Sequence, residues 1–351
     1  MKIADCGLQI ADCKKIPLSQ IDLADETFSV NFGADLRRLR SSIGEIGLIE
    51  PALLREKPEG YQIVCGFRRV SILRELGDVE VESRVFGEKE VDPFKLFTIS
   101  LHDNLTTRGF NAVEKAVALD KLVHHFQMDR RSVIKTFLPL FSLETNEKIL
   151  DTFLVLARME DELKRYVLEE EVSRSNIRLF STFKSEDRMA ILSLVLSLKL
   201  SENRLREVLT FLHEIAQRDR LDVKEVVHRP EINAILFEKE LTPSQKTERI
   251  RKILWDLRYP RMHLAEKEFE KKRRVLSLPP GMSLHHSPFF EGEKLRVEFQ
   301  FETLEEYRSA LEALSPLADK KEFQEMMESQ AEGRGHRAER RAHRVQNKTT
   351  L

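Results

Sequence analysis

From residue 111 to about 269 the apolar residues of this 351-residue chain recur at helical spacing and at no other, with short turns near Asp129, Ser142, Met159, Ser173, Ser185, Ser201 and Pro243. One period sustained over so long a stretch excludes a sheet from the middle of the chain and predicts an all-α domain there. The residues before it change period repeatedly. Residues 16–21 are extended, and 35–46 place Leu36, Leu39, Ile43 and Ile46 on one helix face that ends at Gly47. Residues 52–55 and 61–65 read as strands on either side of Lys57-Pro58-Glu59-Gly60, a turn suited to a hairpin. Val70, Leu73 and Leu76 then return to helical spacing until Gly77, Val79, Val81 and Val85 suggest a further strand, and Pro93 opens another helix.

Beyond the helical stretch, residues 258–274 form the most charged helix, with only Met262, Phe269 and Leu276 on its apolar face, and read as a linker. Leu278-Pro279-Pro280-Gly281 breaks it. Residues 282–290 and 294–301 look like two strands around Glu291-Gly292, after which Thr303 caps a helix to about Leu314. Residues 331–351 carry six basic residues against Glu332 and Glu339 and read as a disordered basic tail. The expected organisation is therefore an α+β domain over 14–110, a helical domain over 111–240, linker helices over 241–278, a small α+β unit over 279–330 and the tail.

A formal net charge of -1, from 58 Lys plus Arg against 59 Asp plus Glu, gives the whole chain no electrostatic reason to bind nucleic acid, so any such contact needs a local patch. Cys6, Cys13 and Cys65 show no metal-ligand spacing and read as free thiols of a reducing cytoplasm. The most apolar stretch, 189–198, is about half the roughly 20 residues that span a bilayer, and the N-terminus lacks the basic start and apolar core of a signal peptide. A cytoplasmic protein without a membrane segment is expected.

Two clusters bear on chemistry. Gly66-Phe67-Arg68-Arg69 stands where a strand gives way to a helix, and helix-terminal N–H groups beside two guanidinium groups suit a polyphosphate; a surface arginine pair at a helix start is the plainer alternative. In Asp103-Asn104-Leu105-Thr106-Thr107-Arg108-Gly109-Phe110-Asn111-Ala112-Val113-Glu114, a carboxylate beside a carboxamide suits Mg²⁺ held against phosphates. The plainer alternative ends one helix at Asp103 and Asn104 and begins the next with Asn111 and Glu114 as a capping box.

Taken in order with Gly47-Leu48-Ile49-Glu50-Pro51, these motifs resemble the N-terminal domain of the ParB family of bacterial partition proteins, over about residues 14–127. The resemblance implies a ParB/sulfiredoxin-like fold, CTP binding with Mg²⁺, and a dimer that closes around DNA. It places Gly66, Arg68 and Arg69 on the phosphates and Asp103 and Asn104 near phosphate and metal. The sequence departs from the family where Phe67 and Asp103 replace Glu, Thr107 stands where Arg is common, and Ala112 replaces Pro. Nucleotide binding with at most slow hydrolysis is the expectation. Sulfiredoxin shares the fold but has a cysteine where Phe67 stands, so its reductase chemistry is not expected, and no three-carboxylate cluster supports a nuclease.

The family's helix-turn-helix corresponds to residues 129–140 and 144–156, yet its second helix carries Glu144, Glu147 and Asp151 against Lys148 alone, a poor surface for reading bases. Arg158, Lys164, Arg165, Arg174 and Arg178 are the candidate phosphate contacts, or equally a solvated surface. The expected partners are DNA read with little sequence selectivity, a second copy of the chain and a partition ATPase, in a cytoplasmic, nucleoid-associated protein. The alternative function is a nucleotide-gated adaptor that has lost DNA reading. The apolar hairpin unit of residues 282–314 is expected to support the homodimer, or to dock on its own chain.

Overall fold

Alternation sends every second residue of the N-terminal strands to one side of a sheet, and the computed structural model, which describes residues 13–287 and 294–327, has that sheet. Strands β1 (Lys14–Pro17), β2 (Ile21–Asp22), β3 (Ala52–Lys57), β4 (Gly60–Cys65) and β5 (Glu80–Phe86) lie in the order β1-β5-β3-β4-β2. The hairpin expected around Pro58 is the antiparallel pair β3–β4. Strand β5 runs parallel to β3 and antiparallel to β1, while β2 runs parallel to β4. Gly60 makes the hairpin possible, because its φ is +138° and a Cβ there would stand 2.4 Å from the Gln20 carbonyl oxygen. Helices α1 (Arg37–Ile46) and α2 (Phe67–Leu76) bury Ile43, Val70 and Leu73 in one cluster with Leu54, Ile63, Val81 and Val85 of the strands.

Helix α3 (Pro93–Thr107) starts with Pro93 at a position that needs no N–H and with Asp92 accepting from Phe94 N and Lys95 N. Helix α4 (Ala112–Asp120) begins with the expected Asn111–Glu114 capping box and runs on into a π-helical turn, Lys121–His125. Short α5 (Arg130–Ser132) and α6 (Leu138–Leu140) flank a second π-helical turn, Val133–Phe137. Helix α7 (Glu147–Ala157) lies where the second helix of a helix-turn-helix was expected. Helices α8 (Asp161–Glu169), α9 (Arg174–Ser181) and α10 (Ser185–Val195) follow. The chain divides into two compact units: the first ends at Leu196 and takes back Leu200–Leu209, and the second holds Ser197–Lys199 and resumes at Thr210, inside α11 (Glu202–Asp219).

The second unit contains α12 (Val223–Val227), α13 (Pro230–Phe237), α14 (Pro243–Arg258), α15 (Pro260–Leu276), a hairpin of β6 (Met282–His285) and β7 (Arg296–Phe299), and α16 (Leu304–Leu314). Capping boxes at Asp222/Glu225, Thr242/Gln245 and Thr303/Glu306 set three of its helix starts. Helix α15 is more than a connector: Phe269 and Leu276 pack with Leu284 of β6, Val297 of β7 and Met326. Helix α16 buries none of its residues. The turn at Glu291-Gly292, the basic tail from 331 and Cys6 lie outside the described residues.

Candidate functional site

Strand β4 ends at Cys65 and α2 begins at Phe67, so one residue must turn the chain from extended to helical. Gly66 does so in the left-handed region, at φ 93° and ψ 18°. Packing makes the same demand: a Cβ on Gly66 would stand 3.2 Å from both Nε and Nη2 of Arg69 and 3.4 Å from Ala52 Cα. Gly66, as the N-cap of α2, brings no side-chain cap to the helix start, and residues 66–69 line a cleft of about 320 Å³. A glycine turn, an uncapped helix start and guanidinium groups at one cleft are what a polyphosphate requires.

All five residues expected at the nucleotide, Gly66, Arg68, Arg69, Asp103 and Asn104, line this cleft. The two arginines have separate partners. Arg69 donates through Nη1 to the Glu50 carbonyl oxygen and to Glu50 Oε2, both at 2.9 Å. Arg68 donates through Nε to Asn31 Oδ1 at 2.9 Å and through Nη2 to Glu114 Oε1 at 2.5 Å. Glu114 is the centre of the network: its other oxygen accepts from Arg108 Nη1 at 2.8 Å and from the Asn111 backbone N–H at 3.1 Å, and its side chain is 2% exposed. Two charge-assisted bonds and backbone donors satisfy the oxygens of this buried carboxylate.

Arg108 extends the chain of bonds to the last turn of α3. Its Nε donates to Asn104 Oδ1 at 2.9 Å, its Nη2 to Asn31 Oδ1 at 3.3 Å, and its guanidinium lies 5.2 Å from the centre of the Phe110 ring. The Asn104 amide nitrogen donates to the Ser100 carbonyl at 2.8 Å. Asn31, Arg108 and Glu114 in its ion-pairing role are therefore members of the candidate site's network that motif reading missed.

Burial dominates the electrostatics here. It pushes the Asp103 carboxyl above the usual carboxylate range, against the pull of the neighbouring Arg69 guanidinium. Burial followed by the adjacent Arg108 charge lowers Arg68, while Glu114 opposes both. The Cys65 thiol, buried next to Asp103, is pushed strongly up, the opposite of what a nucleophilic sulfur needs.

Where the helix-turn-helix was expected, the acidic face of α7 is tied to α5: Arg130 donates to Glu147 Oε1 at 2.8 Å and to Asp151 Oδ1 at 2.5 Å. The five basic candidates are dispersed. Arg178 donates at 2.6 Å to Thr152 Oγ1 and at 2.7 Å to the Lys148 carbonyl, Arg174 pairs with Glu144 at 3.6 Å, and Arg158 pairs with Asp120 at 3.2 Å. Lys164 pairs with Asp161 at 3.1 Å and lies over the Phe32 ring, and Arg165 is exposed. Among the described residues, a grouping of three His, Cys or carboxylate ligands occurs in the second unit, at Asp256, His263 and Glu266, and not at the cleft.

No family model matches the chain. It is similar to the nucleoid occlusion protein of Bacillus thuringiensis (strain Al Hakam), 24% identical over 198 residues that cover 56% of this chain and 65% of that protein. It is also similar to the probable chromosome-partitioning protein ParB of Vibrio cholerae, 24% identical over 174 residues, 49% of this chain and 56% of that one. The chain thus spans less than two thirds of the length of these curated relatives. Among solved structures, it matches C-terminally truncated Caulobacter crescentus ParB complexed with CTP-γ-S, at 20% identity, covering 53% of this chain and 99% of that one with a TM-score of 0.25. A Pnob8-like ParB-N domain matches at 16% identity, covering 69% and 97% with a TM-score of 0.32. These sequence relatives support the resemblance to the ParB family that the motifs carry.

Proposed function

We propose that the cleft at Gly66 binds the triphosphate of CTP and that nucleotide binding controls a DNA-associated protein of the partition or nucleoid-occlusion kind. The observation that supports this best is the convergence of Gly66, Arg68, Arg69, Asp103 and Asn104, from two separated motifs, on one cleft. Arg69 packs its Nε and Nη2 close against Gly66, which keeps a guanidinium at the start of α2 where a phosphate would meet it. The metal half of the family expectation fits the donors poorly, because Asn104 Oδ1 already accepts from Arg108. DNA contact, a nucleoid location, a partition ATPase and a homodimer belong to the same reading. For the homodimer, the support is the exposed apolar face of Phe301, Leu304, Tyr307 and Leu311 on and beside α16.

Calorimetric titration of the full chain with CTP and with the other nucleoside triphosphates tests the proposal, and preference for CTP is the expected result. Changing Arg69 to Ala removes a charge-assisted phosphate contact of roughly 1.5 to 3 kcal/mol, tenfold or more in affinity. Unchanged affinity in a folded Arg69→Ala protein would falsify the site.

A second reading, a nucleotide-gated adaptor without specific DNA recognition, is favoured by the acidic face of α7 and by the ion pairs that occupy Arg158, Lys164 and Arg174. Titration with duplex DNA at low and physiological salt separates the two. Weak binding with a steep salt slope at low salt fits a nonspecific DNA-associated protein, and no binding at any salt leaves the adaptor.

A further inference from the structure

The magnesium ion implied for this cleft would take Asp103 and Asn104 as its protein donors, and Asn104 is committed elsewhere. The Asn104 carboxamide is used at both ends: its nitrogen donates to the Ser100 carbonyl and its oxygen accepts from Arg108 Nε at 2.9 Å. A magnesium ion demands oxygen at about 2.1 Å, so an ion on Asn104 Oδ1 would stand about 4 Å from the guanidinium carried by the same oxygen, where like charges repel. Arg108 is not free to step aside, because Glu114, Asn31, the Gly109 carbonyl and the Phe110 ring all hold it. Leaving would also deprive the buried Glu114 of one of its two cations.

From this arrangement, and resting on the nucleotide reading of the cleft, we infer that Arg108 is a positioning residue that stands in for the metal, so that the triphosphate is held by guanidinium groups without Mg²⁺. Arg68, Arg69 and Arg108 line one cleft and present three fixed cations to it. Arg69, whose Nε and Nη2 stand beside Gly66, is the guanidinium placed to donate to phosphate oxygens, while Arg68 and Arg108 contribute charge. The sequence departure behind this is local: Thr107 stands where the family commonly has Arg, and the guanidinium instead comes from the next residue, whose Nε reaches Asn104 four residues back along α3.

The test is calorimetric titration of the full chain with CTP, once in millimolar MgCl₂ and once in excess EDTA. Dissociation constants within about threefold of each other are expected. Binding that weakens tenfold or more in EDTA overturns the inference and leaves the nucleotide reading standing, whereas no binding in either buffer overturns both. Arg108→Gln releases Asn104 Oδ1 and removes the charge. In a protein whose circular dichroism shows it folded, this variant is expected to bind CTP in MgCl₂ and at least tenfold more weakly in EDTA. Equal binding in the two buffers refutes the role of Arg108. Should the variant fail to fold, the wild-type pair of titrations decides the matter alone.

Discussion

Two carboxylate–guanidinium networks in the first unit use the same chemistry in different surroundings. In the cleft, one carboxylate, Glu114, is clamped by two arginines, and the side chains are 2%, 21% and 22% exposed. Between α5 and α7 the ratio is inverted: one arginine, Arg130, bridges Glu147 and Asp151, with all three side chains more than a third exposed. Water screens the second network and not the first, so distances that are nearly equal conceal different consequences of breaking them.

The largest effect expected from breaking the comparison is at its buried centre. Glu114→Ala leaves two facing guanidinium groups without a counter-ion and should destabilise the protein by about 3–5 kcal/mol, read as a fall in the denaturant midpoint. Gly66→Ala comes next, because the left-handed backbone alone disfavours a side chain by roughly 1–2 kcal/mol and the Cβ crowds Arg69; its CTP affinity should fall together with its stability. Arg130→Ala should lower stability by only about 0.2–1 kcal/mol, and the loss should vanish in about 1 M NaCl while that of Glu114→Ala persists.

Two pH effects sharpen the contrast further. Glu160, which accepts from Arg188 Nε and Nη2, is lowered to about 2 by those bonds, so its contribution is fully present above the ordinary glutamate value and is lost as pH falls toward 2. Arg188→Gln should flatten the stability profile across that acid window and nowhere else. Asp103 is shifted the opposite way, so its ionised form is a burden to the fold above the raised value. Asp103→Asn should therefore raise the melting temperature at pH 7, with an advantage that shrinks as pH is lowered toward the ordinary aspartate range.

How much of this was legible beforehand follows from where each bond partner lies along the chain. The turn of Gly66, the arginine pair, the hairpin and the Asn111–Glu114 cap are local events, and spacing alone reveals them. The partners of those residues are not local. Arg68 meets Glu114 46 positions away and Asn31 37 positions away, and Asn31 belongs to an irregular segment with no periodicity to announce it. Glu114 was readable as a capping residue because that role needs only three residues of sequence. Its ion pairs needed the fold. Arg108 was within the quoted motif, but one position from where the family carries arginine, and only geometry shows that its Nε reaches Asn104. The apolar face of α15 looked too thin for a core because half of that core, Leu284, Val297 and Met326, comes from the hairpin and the segment after α16.

Lys121, at the far end of α4, gives its ammonium group to the backbone carbonyls of Glu26 and Ser29, the latter at 2.6 Å. At the near end, Glu114 accepts from Phe32 N and Asn111 Nδ2 donates to the Phe32 carbonyl at 2.9 Å. Residues 26–32, which include the Phe28–Asn31 wall of the cleft, are thus riveted to both ends of a single helix. The wall and the helix form one rigid part, as a blade and its handle do: the cleft cannot widen at Asn31 unless α4 travels with it. The two points of attachment stand at opposite ends of a nine-residue helix, so the wall is fixed at both of its own ends.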